Sequence, residues 1–135
     1  MFIPCYTCEK IFVILFYPHN DIHGSRLEKA VAPVVQQETI VVFHELVDLL
    51  EYLKQPNSKH RVLLFQAVSK DQLQQLGRNS ALLDNLKKIL VLPDASNTVI
   101  QIACTLYPSY ITNVFSDYKD VRDVLTKLKS RFSML

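Results

Sequence analysis

The sequence has only two glycines, Gly24 and Gly77, among its 135 residues. Loops that cradle phosphate groups need closely spaced glycines, because the backbone itself must approach the ligand. Two isolated glycines exclude a loop of that kind. None of the four histidines is paired with a serine or cysteine in the pattern of a nucleophile elbow. We therefore expect no catalytic activity and no bound cofactor.

Cysteine, excess charge and long apolar runs are also scarce. The three cysteines form an odd set, which argues against a disulfide framework and indicates a reducing, cytoplasmic location. The net charge is +2 and the charges are scattered, so the broad basic surface of a nucleic-acid-binding protein is missing. No run approaches the roughly 18 apolar residues that cross a bilayer. We expect neither nucleic acid nor membrane as a partner.

Cys5 and Cys8, followed by His19 and His23, have the spacing of a zinc-finger ligand set. The apolar run between the two pairs argues against zinc binding. If that run is a strand, a rise of roughly 3.3 Å per residue separates the pairs by about 20 Å. Zinc ligands all lie about 2 Å from one ion. We therefore predict no metal site at these residues.

Five stretches of the sequence have the composition of strands. The first is apolar from Ile11 to Tyr17 and is closed by Pro18, a pattern typical of a strand buried on both faces. Three weaker copies of this run follow it, and they predict strands over Thr39–Phe43, Arg61–Gln66 and Lys88–Leu92. Ser109–Phe115 is a fifth and weaker strand.

Apolar residues at helical spacing occupy the intervening stretches. Ser25 and Glu28 form a capping-box pattern that predicts a helix beginning at Ser25. Pro33 lies inside the pattern and should kink or end this helix near Ala32. Ser69 and Gln72 repeat the capping pattern. The other predicted helices are His44–Lys54, Ser69–Gly77 with a restart over Ser80–Leu86, Ser96–Leu106, and a last one opened by Ser116 or Asp117.

Strand and helix alternate five times, so the sequence predicts a single α/β domain over residues 10–135. A lead-in of residues 1–9 precedes it. Alternation of this kind calls for a parallel sheet covered by helices on both faces and joined by right-handed crossovers. In such sheets ligands and reactive groups gather outside the carboxyl ends of the strands. Candidate functional residues are therefore sought there.

The positions of these five βα units resemble the receiver domain of bacterial two-component response regulators. The resemblance covers nearly the whole chain after the lead-in and rests on pattern more than on identities. It implies a three-layer, flavodoxin-like fold with strand order 2-1-3-4-5. It also implies a site with an acidic pair after strand one, a phospho-acceptor Asp after strand three, a hydroxyl after strand four and a Lys-Pro after strand five.

This sequence keeps the receiver Pro as Pro18 and the switch aromatic as Tyr110, but the reactive groups differ. At the receiver positions of the acidic pair stand Leu15, Phe16 or Tyr17, and at the acceptor position stands Gln66 or its neighbour Phe65. Pro93 takes the position of the hydroxyl and Asn113 that of the lysine. Phosphorylation of an aspartate needs carboxylates that hold Mg²⁺, which takes oxygen ligands. The resemblance therefore implies a degenerate pseudo-receiver that has lost phosphotransfer.

Three acidic residues, Asp21, Asp94 and Asp117, lie in or near the same loops. They leave room for an atypical Mg²⁺ site, but each also fits a turn or a helix start. We predict the second role for all three.

Four aromatic residues cluster in sequence around the fifth strand: Tyr107, Tyr110, Phe115 and Tyr118. The resemblance implies that the face formed by the fourth helix, fifth strand and fifth helix docks a protein partner or a second copy of the chain. Aromatic residues with a polar tip suit interfaces, although the same residues also fit simple packing at the sheet edge.

Two other functions stay open from the sequence. A small ligand would bind at the former acidic pocket if Leu15, Phe16, Gln66 and Pro93 lined an apolar cleft there. An enzyme of another flavodoxin-like type is the weaker option, because fold alone does not determine function.

Overall fold

The computed structural model describes residues 12–19, 23–35, 39–55, 61–84, 86–115 and 117–133. Its strands are β1 (Phe12–Phe16), β2 (Thr39–Phe43), β3 (Arg61–Gln66), β4 (Lys87–Leu92) and β5 (Tyr110–Asn113). Its α-helices are α1 (Gly24–Val35), α2 (Leu46–Leu53), α3 (Lys70–Gly77), α4 (Asn97–Cys104) and α5 (Lys119–Ser133). A 3-10 helix spans Ser80–Leu83. The predicted lead-in of residues 1–9 lies outside the described residues.

The five strands form one parallel sheet in the order β2-β1-β3-β4-β5, which confirms the predicted topology. Phe12 of β1 is in register with Thr39 of β2 on one side and with Arg61 of β3 on the other. β3 is therefore the central strand and β1 lies beside it. The continuous apolar runs follow from this position, since all six residues of β3 and the last four of β1 are buried.

Side chains alternate across the sheet and form two separate cores. The core under α1 and α5 contains Val13, Leu15, Val62 and Leu64. The core under α2, α3 and α4 contains their immediate neighbours in sequence, such as Phe16 and Phe65. A receiver-like three-layer arrangement results, and every strand ends on the same edge of the sheet.

Two helices begin where the sequence predicts. The Ser69 hydroxyl accepts a hydrogen bond from the Gln72 backbone N–H at 3.4 Å, and the Ser96 hydroxyl accepts one from the Val99 N–H at 3.4 Å. Both serines are N-caps, which satisfy an otherwise unpaired donor of the first turn. No helix within the described ranges is long and apolar enough to cross a membrane.

The prediction for α1 was wrong at its start, and of the two outcomes predicted for Pro33 the helix does not end before it. The helix begins at Gly24, so Ser25 lies inside its first turn and is not the N-cap. Pro33 lies inside the helix, which continues to Val35. Proline removes one backbone donor and crowds the preceding turn, but Pro33 is exposed and only two residues from the helix end. The interruption is therefore confined to the last turn.

Two cations are buried near the amino end of the sheet. The Lys88 ammonium donates to the carbonyl oxygens of Leu83 and Leu86 at 3.1 and 3.3 Å, and burial lowers its pKa. The Arg61 side chain is also buried, and its Nη1 atom has no hydrogen-bond partner in the described part of the chain. A buried charged group without a partner lowers stability.

Candidate functional site

The carboxyl ends of the strands form the edge at which function is expected, because this is where open α/β sheets bind their ligands. Phe16, Phe43, Gln66, Leu92 and Asn113 end the five strands. Only Gln66 and Asn113 among them are polar. This edge therefore offers no carboxylate at a strand end.

The predicted cleft of Leu15, Phe16, Gln66 and Pro93 does not form. Leu15 is fully buried in the core under α1 and α5, whereas the Phe16 ring lies on the opposite face of the sheet. There it stacks on Phe65, with the ring centroids 4.5 Å apart and the planes 7° apart. The alternation of the strand separates Leu15 from Phe16. Leu15 and Phe16 therefore do not line a common cleft.

Gln66, at the predicted acceptor position, is buried and bonded. It has no exposed surface, and the Tyr118 hydroxyl donates to its Oε1 atom at 3.3 Å. The Arg26 guanidinium lies 5.0 Å from the centroid of the Tyr118 ring, as in a cation–π contact. A neutral amide bonded to a phenol thus lies at the carboxyl end of the central strand.

The prediction that Tyr118 belongs to an exposed interaction face was wrong. Tyr118 is 1% exposed and has φ 65°, in the left-handed region that non-glycine residues rarely adopt. That conformation comes immediately before α5 and accompanies the inward direction of the side chain. Sequence pattern gives no signal for it, because tyrosine at a helix start is more often on the surface.

The remaining predicted site residues form turns. The Asn113 Oδ1 atom accepts a hydrogen bond from the Phe115 backbone N–H at 2.9 Å, and Pro93 is half-buried in the loop after β4. An Asp94 carboxylate oxygen accepts a hydrogen bond from the Ser96 backbone N–H at 2.8 Å. Hydrogen bonding to the backbone and side chain of Ser96 lowers the pKa of Asp94. Asp117 accepts from the Lys119 N–H at 3.0 Å.

Two of the three acidic residues considered for an atypical magnesium site, Asp94 and Asp117, belong to the described part of the chain. Asp94 and Asp117 are both exposed, and each is engaged with the start of its own helix. Asp21 lies outside the described residues. Within the ranges that the structure describes, no three His, Cys, Asp or Glu side chains are placed to hold one metal ion.

Tyr17 follows β1 directly and is fixed by three contacts. Its hydroxyl donates to the Glu28 Oε1 atom at 2.6 Å, and its ring meets the His44 ring edge-on at 4.7 Å. The ring also covers Gly24, where a Cβ atom would overlap it. The hydrogen bond to Glu28, followed by burial and the Glu28 charge, raises the pKa of Tyr17 to about 12.

This pKa predicts a loss of stability in alkali. The folded chain keeps the Tyr17 proton between pH 10, the ordinary pKa, and about 12, whereas the unfolded chain loses it. The contribution of protonated Tyr17 to the free energy of unfolding is therefore complete below pH 10 and is lost as the pH rises towards 12. Urea unfolding followed by circular dichroism should show a steeper fall for the wild type than for Tyr17→Phe over this range. Parallel curves would contradict the assignment.

A groove opens at the carboxyl ends of β1, β2 and β3, between α2 and α3. Its volume is about 590 Å³. It is lined by Phe16, Pro18, His19, His44, Glu45, Leu46, Val68, Gln72 and Gln75. Of the residues predicted from sequence to form a site, only Phe16 belongs to it. The signal that could have found it is that His19 and His44 follow two strands that are neighbours in a 2-1-3-4-5 sheet.

The predicted interaction residues around β5 are not one cluster. Tyr107 is 86% exposed, precedes β5 and has φ 52°, whereas Phe115 is 77% exposed and follows β5. Tyr110 is half-buried, and its hydroxyl donates to Asp120 at 2.8 Å, which raises its pKa. Tyr107 and Phe115 therefore stand at opposite ends of the edge strand, with Tyr110 between them.

No protein family and no curated protein matches the sequence. Solved structures do match the fold. A response regulator receiver domain from Rhodospirillum rubrum superposes with a TM-score of 0.61 at 15% identity, over 91% of this chain and 94% of that one. An orphan response regulator of H. pylori gives a TM-score of 0.59 at 15% identity, over 90% of this chain and 96% of that one.

A third similar structure comes from outside the named response regulators. It is a protein described as pilus assembly-related from Burkholderia pseudomallei, with a TM-score of 0.63 at 17% identity, over 92% of each chain. Identities this low establish the fold alone. Strand order, layer arrangement and these superpositions together show that the chain has the receiver-like form of the flavodoxin-like α/β fold.

Proposed function

We propose that this domain is a pseudo-receiver, a signalling module of the response-regulator type that is not phosphorylated on aspartate. It catalyses no reaction and acts through contact with protein. The observation that carries the proposal is Gln66, which stands at the acceptor position, is fully buried and is bonded to Tyr118.

The chemistry of phosphoryl transfer supports this function. The reaction needs an oxygen nucleophile and carboxylates that hold Mg²⁺ against the transferring group. The Gln66 amide is no such nucleophile, and Leu15 and Phe16 offer no oxygen ligand. Asp94 and Asp117 are held in turns at their own helices. Repair of the acceptor alone would therefore leave the metal ligands missing.

Incubation with acetyl phosphate and Mg²⁺, followed by intact mass measurement, tests the loss of phosphorylation. We expect no phosphoryl adduct on the wild type or on Gln66→Asp, while a phosphorylatable receiver treated in parallel is labelled. A stable adduct on the wild type that disappears in Asp94→Asn or Asp117→Asn would overturn the proposal.

The contact surface is assigned to the edge of the sheet at β5. β5 pairs with β4 on one side, and the ladder extends from the Ser109 N–H to the Val114 N–H, which donate to Lys88 and Leu92. In the sheet order β5 is an edge strand. Together with exposed Tyr107 and Phe115, it forms what we name the β5 surface. Exposed aromatic side chains beside a free strand edge favour protein contact.

Self-association through the β5 surface is the form of contact that we expect. Sedimentation velocity over a concentration series should show a dimer that weakens in Tyr107→Ser and in Phe115→Ser. Val47→Ser is the matched control, since Val47 is 64% exposed at the start of α2, away from β5. A wild type that stays monomeric, or a dimer unaffected by both changes, would count against this surface.

A further inference from the structure

The groove between α2 and α3 has the size and lining of a small-molecule site. Its volume of about 590 Å³ falls within the range of ligand pockets, roughly 300–1,000 Å³. Four apolar residues supply its hydrophobic surface. They are Phe16, Pro18, Leu46 and Val68. The other lining residues are two imidazoles, two amides and one carboxylate, which is the mixture that fixes the orientation of a ligand.

A stack of rings extends into this groove. The Tyr17 ring meets the His44 ring edge-on, and the His19 ring lies over His44 with centroids 4.4 Å apart and planes tilted by 31°. His19 is the outermost of the three and is exposed. A flat ring placed against its open face would continue the stack. Stacking of a base on an aromatic side chain contributes to affinity in nucleic-acid complexes without regard to base identity.

The groove offers acceptors from His44 and Glu45 alongside amide donors. The Gln72 Oε1 atom accepts a hydrogen bond from the Val68 backbone N–H at 2.9 Å, which leaves the Gln72 NH₂ group as a donor. The His44 Nδ1 atom lies 2.9 Å from the Tyr17 carbonyl oxygen. Since a carbonyl only accepts, Nδ1 must carry the proton, and Nε2 of the neutral ring is left as an acceptor. The Glu45 carboxylate makes no hydrogen bond or ion pair with any described residue. It is also the one acidic side chain among the lining residues of the groove, and none of them is a lysine or arginine.

We propose that this groove binds a flat nitrogen heterocycle that carries an exocyclic amino group, of the aminopurine or aminopyrimidine type. The ring stacks on His19, and the amino group donates to acceptors at the mouth of the groove, with the Glu45 carboxylate foremost. Apolar contact with Leu46 and Val68 covers the ring edge. The proposal does not depend on the β5 surface, with which the groove shares no residue, and its only residue in common with the proposed loss of phosphorylation is Phe16.

A matched pair of nucleosides tests both parts of the proposal. Adenosine and purine riboside differ only in the exocyclic amino group, and each is titrated into the ¹⁵N-labelled full chain. We expect saturable shifts of the Val68 backbone amide and of the Gln72 and Gln75 side-chain amides. Adenosine should bind about tenfold more tightly, the difference made by one good hydrogen bond.

Two variants test whether the nucleosides bind in this groove. His19→Ala should lower the affinity for both nucleosides at least about fivefold, because it removes the stacking surface. Glu45→Gln should lower the affinity for adenosine and leave the affinity for purine riboside unchanged. Arg78→Ala is the control, since Arg78 lines a separate groove between α3 and α4 and should change neither affinity. Circular dichroism confirms that each variant is folded.

Three results would overturn the proposal. The first is the absence of saturable shifts up to the solubility limit of adenosine. The second is equal affinity for adenosine and purine riboside, which would remove the role of the amino group. The third is binding that neither His19→Ala nor Glu45→Gln weakens, which would place the ligand elsewhere on the molecule.

Discussion

Replacement of Phe65 by alanine is expected to lower the free energy of unfolding by about 3–5 kcal/mol. Phe65 has no exposed surface and its ring stacks on Phe16 at 4.5 Å. Truncation removes the buried ring and leaves a cavity in the middle of the core under α2, α3 and α4. Since the free energy of unfolding of a small domain is roughly 5–15 kcal/mol, this one substitution would remove a large share of the stability of the protein.

Urea denaturation of Phe65→Ala, followed by circular dichroism, measures the effect. Val47→Ala is the control, because it truncates an apolar side chain that is 64% exposed and lies outside the proposed β5 surface. Surface changes of that kind usually stay within about 0.5 kcal/mol. Equal midpoints for the two variants would contradict the position assigned to Phe65.

Gly24→Ala is expected to destabilise the protein by about 1–3 kcal/mol, the usual cost of overpacking. A Cβ atom at Gly24 would overlap the Tyr17 ring. That ring cannot move without loss of the hydrogen bond to Glu28 and the edge contact with His44. The destabilisation should therefore appear even though alanine favours a helix over glycine.

The other glycine of the chain gives the control. Gly77 ends α3, and a Cβ atom there would meet Leu106 at 3.5 Å, an ordinary contact. Gly77→Ala should leave stability unchanged or raise it by up to about 1 kcal/mol, since alanine has the higher helix propensity. If both alanine variants were equally stable, the close contact between Gly24 and Tyr17 would be wrong.

The fold could be read from the sequence because its strands carry strong local signals. The apolar run of β1, closed by Pro18, and the repeated alternation with helical spacing lead directly to the parallel sheet. The end of α1 could not be read in the same way. Pro33 usually predicts a helix end, but the structure tolerates it because only the last, exposed turn loses a hydrogen bond.

The site was harder to predict, because it depends on which way side chains turn beyond the strand ends. The absence of carboxylates at Leu15, Phe16 and Gln66 is visible in the sequence. The inward turn of Tyr118 is not, since it depends on a backbone φ of 65°. The stacking of His19 on His44 depends on two loops that are distant in sequence and meet only when β1 and β2 pair.

The sheet separates two cores that have no side chain in common. The Gln66–Tyr118 contact belongs to the side of α1 and α5, whereas the groove with Glu45 and Gln75 opens on the side of α2 and α3. Substitutions can therefore accumulate in one helical layer without repacking the other.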